Sequence, residues 1–242
     1  MRGRYDGIFF PTNLEQATPA NSGLIYNLEL GTNGSYSCKV YLAAASSSVS
    51  GAFNRAGYTT TNLGRKGTPG GEVTLELNIP WQSLPRQITG LVSNAGGWVS
   101  TNLILYAAAT NLDIFNNSPN YTLLLPQAGN APDAPASYGY ALLTNLAGMI
   151  HLGGALSDGT SFTDAALLEP INEADQFPVY ASLYKNPGLL LGQLSLDAAT
   201  NPAVPAGSLT WFKPAQKTGL YAGGFSTVLD VEGSPWTNSE AA

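Results

Sequence analysis

The chain has a single histidine, His151, in the stretch MIHLGGALSDGTSF (Met149 to Phe162). An imidazole takes a proton from a hydroxyl when a carboxylate orients its ring. Ser157 or Ser161, with Asp158 or Asp164, could supply those groups, and the product would be a hydrolase of glycans or of small esters or lactones. No G-x-S-x-G elbow and no H-E-x-x-H pair accompanies them. The same stretch also reads as a β-hairpin. On a strand His151 alternates with Ile150 and Leu152 and shares a face with Met149 and Gly153, and Asp158-Gly159 is a hairpin-turn dipeptide.

A second group is acidic. Asp164, Glu169, Glu173 and Asp175 lie within one short segment, and oxygen ligands at that density could hold Ca²⁺, although their spacing is not that of an EF-hand loop. A solvated acidic loop is the alternative, and no other cofactor is expected. Glu72 and Glu76 share a strand face with Thr74, the pattern of an outward polar face rather than of a glycosidase carboxylate pair. Cys38 alternates with apolar residues, which makes it a buried thiol.

The third group is aromatic. Trp81, Trp98, Trp211 and Trp236 fall near turns or strand ends, and twelve tyrosines accompany them. An aromatic face rimmed by amides and hydroxyls stacks on sugar rings, and Trp81, Trp98, Trp211, Tyr138 and Tyr140 are the candidates for such contacts. A tryptophan at a strand end can equally cap a core.

Strands must position all three groups. Tyr36, Cys38, Val40 and Leu42 recur with period two, as do Val73, Leu75, Leu77 and Ile79. Asp6-Gly7, Asn33-Gly34 and Asp158-Gly159 read as turns between antiparallel strands. The best helical candidate, Thr163 to Asp175, is interrupted by Pro170 and reads equally as a strand and a loop. With 27 Gly and 16 Pro the chain has the composition of a many-stranded β protein.

The halves, about 4–110 and 120–232, look related. Each runs from an aromatic-rich strand through an apolar strand to a turn at Gly34 or Gly148, then a small-residue hairpin and two long strands. This predicts a single all-β domain over 1–242, its halves joined by a loop rich in Pro, Ala and Asn. Two antiparallel up-and-down meanders would form one closed or nearly closed β-barrel, with two packed sheets as the alternative. The Pro/Ala-rich Pro126 to Gly139 segment marks the midpoint unless it is a hairpin loop.

The series GRYDGIFF, NGSYSCKVYL, LSDGTSF, FPVYASLY and SLTWFKPA resembles an uncharacterised β-rich repeat module of long exported or surface proteins of environmental bacteria. That repeat runs G-x-Y-x-G-L-F, S-G-K, D-G-T, Y-x-S-L-Y and W-x-K-P. Cys38 stands where the pattern has Gly, and EPINEADQFPVY replaces a shorter segment. The resemblance implies a repeated exported β module and supplies no catalytic residues.

Only 11% of residues are charged, under half of the roughly 25% usual in soluble domains, so neutral polar residues must cover the surface. A net charge of −6 and scattered Lys and Arg exclude a nucleic-acid stripe. No apolar stretch reaches the roughly 20 residues of a membrane-spanning helix, so no membrane insertion is expected. The first residues show no signal peptide, which suggests a removed leader or a fragment of a longer protein. The expected role is a non-catalytic module outside the cell or on its surface, binding polysaccharide or a small neutral ligand, or acting as an adhesion or spacer repeat. The hydrolase, with or without Ca²⁺, is the alternative.

Overall fold

The computed structural model describes residues 2–43, 45–63, 72–80, 86–95, 97–108, 120–129, 131, 133–146, 148–171, 174–185, 187–197 and 204–236. Two compact units divide the chain, Met1–Ala108 and Ala109–Ala242. In the first, alternating apolar residues build β1 (Gly3–Phe9), β2 (Gly23–Leu30), β3 (Ser35–Leu42), β4 (Ala45–Ala52), β5 (Tyr58–Leu63), β6 (Val73–Asn78), β7 (Gln87–Asn94) and β8 (Val99–Ala107). A 3-10 turn at Leu14–Gln16, capped by Asn13, interrupts the β1–β2 connection.

These strands form one antiparallel sheet in the order β4-β3-β2-β1-β8-β7-β6-β5. Each strand pairs with its sequence neighbour except across β4–β5, and β8 returns to β1 through Tyr5↔Ala107 and Asp6↔Tyr106. The result is an up-and-down barrel with a seam between β4 and β5. Its interior holds the predicted inward residues, including Tyr36, Cys38, Val40, Leu42, Val73, Leu75 and Leu77.

The second unit repeats the plan. β9 (Asn120–Leu125), β10 (Gly139–Leu146), β11 (Met149–Ala155), β12 (Ser161–Leu167), β13 (Glu169–Ile171), β14 (Ala174–Leu183), β15 (Gly188–Asp197), β16 (Val204–Lys213) and β17 (Phe225–Trp236) form a sheet ordered β12-β11-β10-β9-β17-β16-β15-β14-β13. Here β17 pairs with β9 and the seam follows β12. Asp164 on β12 bridges that seam, its Oδ2 accepting the Tyr180 backbone N–H of β14 at 2.8 Å.

The all-β, antiparallel, up-and-down class is therefore present, with barrel-like closure once in each half rather than once around the chain. The reason is local: a strand has two edges, and β1 and β9 spend both within their own half. The halves share turn geometry as well, since Gly34 and Gly148, each between the second and third strand of its unit, both adopt φ +81°.

Three local expectations change. Asp6-Gly7 is not a turn but the middle of β1, where Asp6 is fully buried and its carboxylate accepts the Asn27 backbone N–H. Thr163 to Asp175 contains no helix among its described residues; Pro170 sits in β13. Pro126 to Gly139 is the β9–β10 connection inside the second unit, held against β17 by Ala128 N–H to Val228 O and Asp230 N–H to Pro126 O. Among the described residues no helix is long and apolar enough to cross a membrane.

Candidate functional site

His151 lies exposed on the outer face of β11, between Thr144 of β10 and Ala165 of β12. Asp164 sits one register position away, opposite Leu152, so its side chain projects to the other face and is spent on Tyr180. Asp158 lies in the turn beyond Ala155, which is itself about 13 Å along the strand from His151. Its Oδ1 accepts the Thr160 N–H at 2.9 Å and its Oδ2 the Tyr184 hydroxyl at 2.6 Å. The acid/base constellation of His151, Asp158 and Asp164 is thus not brought together.

The acidic segment also disperses. Glu169 pairs with Gln176 and Asp175 with Pro170, successive positions of one hairpin, so the two carboxylates project to opposite faces. Glu169 is buried, and burial pushes the half-buried Asp175 carboxyl above the usual range. Glu173 lies outside the described residues. Among those described, no three His, Cys, Asp or Glu side chains converge as a metal site would require. Glu76 accepts the Tyr58 hydroxyl at 2.8 Å on the outer face of the first sheet.

Sequence reasoning missed a cluster in the second unit. Trp211, expected to contact ligand, is 1% exposed and packs edge-on against Phe225, centroids 4.6 Å apart. Its indole Nε1–H donates to the Tyr184 hydroxyl at 3.0 Å, and that hydroxyl donates to Asp158. Lys213 Nζ lies 4.1 Å from the centre of the Tyr184 ring and donates to Gln216 Oε1. Burial, reinforced by the Asp158 carboxylate, holds the Tyr184 phenol well above its ordinary pKa. Gly188 is required beside it, since a Cβ there would stand 2.3 Å from the Tyr184 ring. The D-G-T, Y-x-S-L-Y and W-x-K-P motifs thus meet in space. Strand periodicity could not have placed them together, but their order along the chain was the available signal.

Trp98 is half-buried against the first core, and its carbonyl accepts the Asn94 N–H, the geometry of a strand-end cap. Trp81 lies outside the described residues.

What stays open is one outer face. Tyr138 is 66% exposed, Tyr140 54%, Leu142 48%, Leu124 45% and Trp236 39%. Tyr140 stands between Leu124 of β9 and Ala155 of β11, and Leu142 between Thr122 and Gly153. Trp236 of β17 faces Asn120 of β9, and Ser234 faces Thr122. Small neighbours at Gly153 and Ala155 leave the Tyr140 and Leu142 side chains uncovered, and Thr122, Ser234, Glu232 and His151 supply polar groups on the same face. Trp236 joins this set through the alternation of β17, in which Val231 points inward and Glu232, Ser234 and Trp236 outward.

No family model matches the chain, and no curated protein matches it. Two solved structures are similar to it. One is a protein of unknown function from the DUF3598 family of Nostoc punctiforme PCC 73102, 11% identical, with 97% of this chain and 96% of that chain covered and a TM-score of 0.29. The other is a candidate outer membrane protein of Bacteroides fragilis NCTC 9343, 10% identical, with 98% and 97% covered and a TM-score of 0.27.

Proposed function

We propose that the chain is a non-catalytic module of an exported or surface protein that binds neutral polysaccharide on the outer face of its second unit. The observation that carries this reading is the exposure of Tyr140 and Trp236 on one sheet face, with Tyr138 exposed just ahead of β10, where Leu124 and Leu142 add apolar surface and most of the polar side chains are uncharged. Aromatic rings left in water at this density lose burial energy unless something covers them. A sugar ring fits, because its apolar face stacks on the aromatic ring while its hydroxyls reach Thr122, Ser234 and Asn120. The low charge of the whole chain suits a neutral ligand and an exterior setting, as does its resemblance to repeats of exported proteins. The same face carries the exposed His151, and its own strand offers it no carboxylate.

A thermal-shift screen against neutral and acidic polysaccharides, short esters and lactones, each with Ca²⁺ and with chelator, tests the reading. A ligand of the native state raises the melting temperature. The expected result is a rise with a neutral polysaccharide, independent of Ca²⁺ and absent in Tyr140→Ala. A shift that needs Ca²⁺, or one seen only with esters or lactones, would overturn it.

A further inference from the structure

The first unit carries a groove of about 450 Å³ on the outer face of β2, β3 and β4. The sheet register explains its shape. Tyr26, Lys39 and Ser48 form one row across the three strands, and Glu29, Ser37 and Ser50 form the next. Between the rows the β2–β3 register shifts, so that Asn27 and Leu28 together oppose Cys38. Such a bulge re-aims side chains and bends the strand.

Asn27 is the unusual residue. It adopts φ +49°, and its N–H is held by the carboxylate of the fully buried Asp6. Its Nδ2 donates to Glu29 Oε1 at 3.3 Å, while its Oδ1 is buried without a hydrogen-bond partner. A glycine would meet this backbone at lower cost, so the position carries strain and an unmet acceptor together. Backbone outliers of this kind collect at binding sites.

We propose that this groove is a ligand site for a neutral sugar of one or two rings, separate from the face on the second unit. Its size lies in the range of small-ligand pockets, about 300–1,000 Å³. Its lining selects the chemistry. Glu29 and Lys39 offset one another, which removes the attraction for phosphates or other anions. Three serine hydroxyls, an amide, a carboxylate and an ammonium disfavour an apolar ligand and match a ring of hydroxyls. Tyr26, set edge-on to Tyr41 with centroids 6.3 Å apart, presents the one aromatic surface. Rotation of the Asn27 amide on binding would turn its oxygen toward a ligand hydroxyl.

The test is saturation-transfer NMR on the full chain with maltose, cellobiose, lactose and diacetylchitobiose. At least one disaccharide is expected to receive saturation. Asn27→Gly and Ser48→Trp are each expected to weaken its binding at least tenfold, with Tyr140→Ala leaving it unchanged. Ser48 is exposed and Asn27 half-buried, and a cooperative thermal transition in each variant verifies folding. Silence from all four sugars, or binding that survives Ser48→Trp, would overturn the proposal. Binding lost in Tyr140→Ala but kept in both groove variants would assign the sugar to the second unit and likewise overturn it.

Discussion

Trp211 donates its indole N–H to the Tyr184 hydroxyl at 3.0 Å, tying β16 to the end of β14 at the edge of the second core. The same hydroxyl donates to Asp158 in the β11–β12 turn, so one phenol oxygen connects three segments far apart in sequence. Tyr184→Phe keeps the ring and its contact with Lys213 but leaves the indole N–H without its acceptor. The expected loss is about 2–4 kcal/mol, from two hydrogen bonds and one stranded buried donor. Urea denaturation with an unchanged m-value checks it, and a loss under about 0.5 kcal/mol would show that the relay holds nothing.

Asp164 is expected to act as a seam rather than as an acid or a ligand. Asp164→Ala removes the carboxylate that takes the Tyr180 N–H between β12 and β14. The expected cost is about 1–3 kcal/mol, and amide exchange at Tyr180 should accelerate by more than the change in global stability explains. Uniform acceleration across the unit would instead place the effect in global unfolding.

Burial raises the Asp175 carboxyl, so on folding this group resists ionisation. The unfolded chain releases its proton at lower pH than the folded one, and stability falls as pH rises from the unfolded toward the folded pKa. Asp175→Asn should therefore be more stable than the parent at pH 7, with the advantage shrinking as the pH drops into the ordinary carboxylate range. Melting temperatures at a series of pH values from 3 to 7 measure this. A variant less stable at pH 7 would contradict it.

Cys38 is buried in the first core, and burial pushes its thiol up to about 12. Alkylation by iodoacetamide at pH 8 should be slow for the native chain and fast in denaturant. Rapid native labelling would mean that the β3 face opens to solvent.

The strands were legible because their apolar period is two: Tyr36 to Leu42 and Val73 to Leu77 point inward as their alternation requires. What alternation cannot carry is which strand accepts the last edge. That β8 returns to β1, and β17 to β9, was not written in any local pattern, so two meanders read equally well as one barrel. Asp6-Gly7 failed for a related reason: whether such a dipeptide sits in a turn or inside a strand depends on the structure around it, which here buries Asp6 against the Asn27 N–H. Trp211 is buried and Trp236 exposed, a difference hidden from the sequence because a tryptophan near a strand end looks the same whether its ring points inward or outward. Tyr138 and Tyr140 were legible as candidates, and their exposure required the register of β10.

Binding of neutral polysaccharide on the outer face of β9 and β10 is measured by affinity electrophoresis of the purified chain through gels cast with neutral polysaccharides, with Tyr140→Ala run alongside. At least one polysaccharide is expected to retard the parent chain, and the variant, unchanged in stability within about 0.5 kcal/mol, to run freely. Equal mobility of parent and variant in every gel would contradict it and leave the outer face of β9 and β10 without the role assigned to it.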